Sequence, residues 1–185
     1  MNQILHWLSN GDLRSDGLSN EVAEAVLQQS HLLPDLLTGL DSQNDVVRGH
    51  TADALEKIAR SRPDLLAEHL PALIVIAQAD PVPMVKMHLA MIFGHLSMYE
   101  ERTDELVSTL LTLLDDESVF AVSWAIVSLC ILAKRYPSQN DQILAKIARL
   151  KRHESIAIRS RVGKAVKLLT EAEASFPKGW LKSRF

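Results

Sequence analysis

The chain has 185 residues, of which 47% are hydrophobic, and this composition excludes an intrinsically disordered protein. Aromatic residues make up only 5%, and abundant Leu and Ala favour helices packed on helices. Residues 1–145 carry 9 basic and 20 acidic side chains, a net of −11, whereas residues 146–185 carry 11 basic and 3 acidic side chains, a net of +8. The basic end is therefore either a solvated surface or a contact for an acidic partner.

Few features of the sequence indicate the cellular compartment of the protein. The single cysteine, Cys130, cannot form an internal disulfide, so nothing favours an oxidising compartment. Residues 1–11 lack the basic start and apolar run of a signal peptide, and no uncharged apolar stretch reaches the roughly 18 residues of a membrane span. We expect a cytoplasmic protein with no membrane contact.

The first 30 residues predict two short helices. Ile4, Leu5 and Leu8 indicate the first, and a cluster of apolar residues from Val22 to Leu27 indicates the second. They do not share the pattern that follows, so we interpret residues 1–30 as an N-terminal helical cap.

From residue 31 a pair of amphipathic helices recurs about every 37 residues. The position of Arg48 in the second helix recurs at Lys86, Val122 and Arg159, with spacings of 38, 36 and 37 residues. Short polar turns join the two helices of each pair, at 41–44, 80–83, 115–118 and 152–155. The pattern predicts one domain with repeats at 31–62, 63–99, 100–136 and 137–174, followed by a C-terminal tail at 175–185.

The repeat resembles HEAT repeats. In that family an Asp lies in the turn, and a Val-Arg pair opens the second helix; here Asp41 precedes Val47 and Arg48, and Asp80 precedes Val85 and Lys86. The resemblance covers about residues 31–172 and implies an all-α fold, a right-handed α-α superhelix or solenoid of about four HEAT-like helix pairs. It also implies a non-enzymatic scaffold or adaptor that binds a protein or peptide.

The resemblance further implies that the second helices line a concave face. Twelve positions opposite their apolar sides form three rows: His50, His88, Trp124 and Arg161; Asp53, Met91, Val127 and Lys164; Lys57, His95, Ile131 and Leu168. The second helix of the third repeat is apolar nearly all round, so its free side needs a cover. We therefore predict a protein-binding surface made of Met91, Trp124, Val127 and Ile131, flanked by His88 and His95.

Three covers for this surface remain open. They are the chain's own tail, with Trp180 and Phe185, a second copy in a homodimer, or a partner helix or peptide. We predict that residues 175–185 dock on Trp124 or Val127.

The basic fourth repeat is a second candidate surface, for an acidic partner. It displays Arg159, Arg161, Lys164 and Lys167 on one helix. Nucleic acid is the alternative partner, although the acidic first three repeats disfavour a groove that tracks a phosphate backbone.

Catalytic motifs do not stand out in the sequence, so we expect neither an enzyme nor a cofactor. His50 and His88 occupy equivalent positions and could share a metal with Asp53, but an accidental histidine pair is the simpler interpretation and we expect no metal. The resemblance leaves open a lyase-type or metal-dependent HEAT-like enzyme.

Overall fold

The computed structural model describes residues 3–182, and within them all regular secondary structure is helical. Eleven α-helices occur in this part of the chain. They are α1 (Gln3–Leu8), α2 (Ser19–Gln28), α3 (Leu33–Leu37), α4 (Asp45–Ala59), α5 (Asp64–Ala67), α6 (Leu70–Ala79), α7 (Pro83–His95), α8 (Thr103–Leu113), α9 (Val119–Arg135), α10 (Asn140–Ala148) and α11 (Ile156–Thr170). The predicted all-α class is confirmed, and α1 and α2 form where the first 30 residues predicted two helices.

The four longest repeat helices begin at residues suited to helix N-termini. Asn44, Ser118 and Ser155 each accept a hydrogen bond through the side chain from a backbone N–H of the first turn of α4, α9 and α11. Helix α7 instead begins at Pro83, where a missing N–H costs nothing. The polar turns of the repeat therefore fix where each second helix starts.

The second helices of successive repeats pack side by side. Helix α7 packs between α4 and α9, and α9 in turn packs against α11. The preceding helices α6, α8 and α10 each pack on the second helix of their own pair, and α8 also contacts both α6 and α10. Fully buried apolar side chains such as Leu55, Phe93, Ile126 and Val162 fill the space between helices.

Two ion pairs connect successive repeats along the turns. Arg48 Nε donates to Asp80 Oδ2 at 2.8 Å, and Lys86 Nζ donates to Asp116 Oδ2 at 2.6 Å. The series stops at the third repeat, where Val122 stands at the basic position. In the fourth repeat, Arg159 donates to the backbone carbonyls of His153 and Glu154 instead.

Among the second helices α4, α7, α9 and α11, helix α9 contains the most apolar residues. Eleven of its 17 residues are buried. Among the helices that lie within residues 3–182, none combines the length and hydrophobicity that a lipid bilayer would require.

Candidate protein-binding surface

The twelve positions predicted to line one side of the second helices lie on α4, α7, α9 and α11, and we call them the inner face. Some of them contact each other between helices: His88 Nδ1 lies 3.7 Å from Asp53 Oδ1, and the guanidinium of Arg161 lies 5.4 Å from the ring centroid of Trp124. Three stretches of this face differ in what covers them.

The N-terminal segment covers the α4 end of the inner face. His50 is 2% exposed, and its Nδ1 lies 2.8 Å from the carbonyl oxygen of Leu8 while its Nε2 lies 2.9 Å from that of Ser15. Ser19 Oγ donates to Asp53 Oδ2 at 2.5 Å. Because backbone carbonyls occupy both nitrogens of His50, this residue is unavailable to share a metal with His88, and that part of the sequence hypothesis is wrong.

Buried polar groups occupy the middle of the face, between α4 and α7. Glu56 is fully buried and accepts hydrogen bonds from Arg60 and from His95, whose Nε2 lies 3.0 Å from Glu56 Oε1. Burial acts to raise the pKa of Glu56, but the hydrogen bonds and charges of His95 and Arg60 lower it to about 2. Burial also lowers the pKa of His88, against the opposing charges of Asp53 and Glu56.

The C-terminal tail covers the α9 and α11 end. Trp180 is 6% exposed, and the guanidinium of Arg161 lies 5.4 Å from the ring centroid of Trp124 and 5.7 Å from that of Trp180. Lys182 Nζ lies 5.1 Å from the Trp124 centroid. These distances suit cation–π attraction. The predicted docking of the tail on Trp124 is therefore confirmed for Lys182. Trp180 lies against Arg161, and Phe185 lies outside the described residues.

The predicted apolar surface is less open than expected. Met91 and His88 are 4% and 7% exposed, Val127 is fully buried, and the His95 side chain is 6% exposed. These four residues are buried in the structure, which includes the tail, so the expectation of an exposed surface is wrong for them. Trp124 and Ile131 are half-buried and remain at the edge of the predicted apolar surface.

The four predicted basic residues on α11 divide into two groups. Arg159, Lys164 and Lys167 are exposed, and Lys167 Nζ lies 3.8 Å from Glu171 Oε2. Arg161 lies between the two indoles, where burial lowers its pKa. Three of the four are therefore accessible to an acidic partner.

Sequence reasoning missed Glu56 as a member of the buried cluster. Glu56 lies three residues after Asp53 and four residues before Arg60, so the three charged side chains lie on one side of α4. This spacing is the one signal that the sequence offered.

No protein-family model matches the chain, and no curated protein matches it either.

Proposed function

We propose that the chain is a HEAT-like α-solenoid that acts as a non-enzymatic scaffold and holds an extended segment of a partner protein against its inner face. The side-by-side packing of α4, α7, α9 and α11 supports the solenoid part of the proposal. So does the recurrence of the same cation–carboxylate contact at Arg48 with Asp80 and at Lys86 with Asp116. Such stacking forms one continuous side, which the N-terminal segment covers at α4 and the tail covers at α9 and α11.

One observation supports the binding part of the proposal: the chain's own tail lies against the inner face. Residues 175–182 contain no regular helix after α11, yet Trp180 is buried next to Arg161 and Lys182 reaches Trp124. A segment in which an aromatic residue is followed closely by a basic one therefore fits this end of the face. A partner segment of the same chemistry would replace the tail.

The basic surface of α11 supports a second candidate, the binding of an acidic protein surface. Exposed Arg159, Lys164 and Lys167 are the observation that favours it. Nucleic acid is the less favoured partner, because Arg161 is taken up by Trp124 and Trp180 and residues 1–145 carry a net charge of −11.

Two variants of the full chain test the proposal through partner capture. Trp180→Ala loosens the tail and should increase the recovery of specific partners, whereas Trp124→Ala removes the indole beneath it and should decrease recovery of the same partners. Circular dichroism confirms that both variants are folded. Equal recovery by both variants and the unchanged chain would contradict binding at this face.

A further inference from the structure

A compact set of metal-ligand atoms lies between α4 and α7. Asp53, Glu56 and His88 each offer one ligand atom, and these atoms all lie within 4.8 Å of one another. All three residues are buried. Asp53 and Glu56 come from one helix and His88 from the next, so a single ion would join two successive repeats.

The imidazole of His88 supplies an independent sign of a ligand. Its Nδ1 is buried and makes no hydrogen bond within the described chain, although the His88 side chain is only 9% exposed. Its nearest acidic atom, Asp53 Oδ1, lies 3.7 Å away, too far for a hydrogen bond. Two ligands of one tetrahedral Zn²⁺ stand about 3.4 Å apart, given metal–ligand bonds of roughly 2.0–2.1 Å. The separation of Nδ1 and Oδ1 therefore suits an ion between them better than a direct contact.

The neighbouring cations contact both ligand carboxylates but do not use all of their acceptor sites. Lys57 Nζ and Ser19 Oγ both contact Oδ2 of Asp53, the oxygen opposite the one that faces His88. On Glu56, Oε1 accepts from Arg60 and His95, while Oε2 accepts only from Arg60. Because a carboxylate oxygen has about two acceptor sites, Oε2 retains one. The hydrogen bond from His95 also orients the Glu56 carboxylate, as the hydrogen-bond partners of metal ligands commonly do.

A small cavity of about 50 Å³ adjoins the cluster and is lined by Asp53, His88, Leu13 and Met84, among others. It has room for one water as a fourth ligand, since a water molecule occupies about 30 Å³.

We propose that Asp53, Glu56 and His88 bind one divalent transition-metal ion that clamps α4 to α7. The mixed nitrogen and oxygen donors favour Zn²⁺ and similar ions over Mg²⁺ and Ca²⁺, which prefer oxygen alone. No residue of the tail is a ligand in this clamp, although the charge of Lys182 acts on His88.

The test uses the full chain, stripped with a chelator, and Zn²⁺ alone as the probe. Calorimetry should give one ion per chain, and Zn²⁺ should raise the melting temperature where Mg²⁺ does not. His88→Asn should weaken Zn²⁺ affinity by about 100-fold or more. The matched control His31→Asn changes an exposed histidine elsewhere and should bind Zn²⁺ as the unchanged chain does.

A second variant, Lys57→Met, should change the Zn²⁺ affinity in the opposite direction. It keeps most of the side-chain volume and removes a charge that lies next to Asp53, so Zn²⁺ affinity should rise by about tenfold. Failure of the chain to bind Zn²⁺, or equal affinity in the unchanged chain and His88→Asn, would overturn the proposal. The second result would assign the binding to surface histidines.

Discussion

Gly94 on α7 and Ser128 on α9 lie at a close approach of these two helices. A Cβ atom placed on Gly94 would lie 2.6 Å from Ser128 Oγ, and this hydroxyl already donates to the carbonyl oxygen of Ala90 at 2.7 Å. The absence of a side chain at residue 94 is therefore what allows α7 and α9 to pack at this distance. The two residues lie at neighbouring repeats and help to set the spacing of the inner face.

We predict that Gly94→Ala destabilises the chain by about 1–3 kcal/mol, because α7 and α9 must separate to admit the methyl group. Gly163 offers a matched control, since a Cβ there meets nothing within 4 Å. Gly163→Ala should stabilise the chain by up to about 1 kcal/mol, as expected for an exposed helix interior. Urea denaturation measures both, and equal effects of the two substitutions would contradict the close approach.

The turn carboxylates Asp80 and Asp116 should be equivalent in their contribution to stability. Each accepts a backbone N–H two residues later through Oδ1 and a cation of the preceding repeat through Oδ2. We expect Asp80→Ala and Asp116→Ala each to lower the free energy of unfolding by about 1–3 kcal/mol. Exposed Asp115 is the control, and Asp115→Ala should change it by less than about 0.5 kcal/mol. If Asp80→Ala changes the free energy of unfolding by as little as Asp115→Ala, the contact between repeats contributes nothing to stability.

The hydrogen bond between His95 and Glu56 should also be measurable. His95→Phe removes the donor and leaves a buried carboxylate with Arg60 alone, so we expect a loss of about 1–3 kcal/mol. The measurement is chemical denaturation in chelator, which separates this effect from metal binding. His31→Phe, at an exposed position, should be close to neutral.

Cys130 should be inert in the folded chain. Burial raises the pKa of its thiol to about 12, and thiolate is the reactive form. Since it is the single cysteine, a maleimide reagent should label the chain only as fast as the chain unfolds, and labelling should accelerate with urea. Complete labelling within minutes in native buffer would contradict its burial.

The sequence predicted the helices better than it predicted what the helices bury. Apolar spacing is a local property, so α4, α7, α9 and α11 could be found from it. The burial of Met91 and Val127 depends instead on how closely α7 and α9 approach, which Gly94 and Ser128 decide and which periodicity does not report.

The same contrast between local and long-range information applies to the buried polar cluster and to the tail. Asp53 and His88 were recognised as neighbours because they lie in adjacent rows, His88 at the position equivalent to His50. The contacts of Glu56 with His95, and of Ser19 with Asp53, bring together residues 39 and 34 positions apart, and no motif announces them. Trp180 was found because an indole is out of place in a fully solvated tail.

The most direct measurement of the central claim is the binding of a fluorescent peptide with the sequence of residues 175–185 to the full chain. We predict that Trp180→Ala, whose own tail is loosened, binds the peptide at least about tenfold more tightly than the unchanged chain, where the tethered tail competes at high effective concentration. Adding Trp124→Ala to this variant should abolish binding. If the peptide does not bind Trp180→Ala, or binds equally with and without Trp124, the inner face is not a receptor for extended segments.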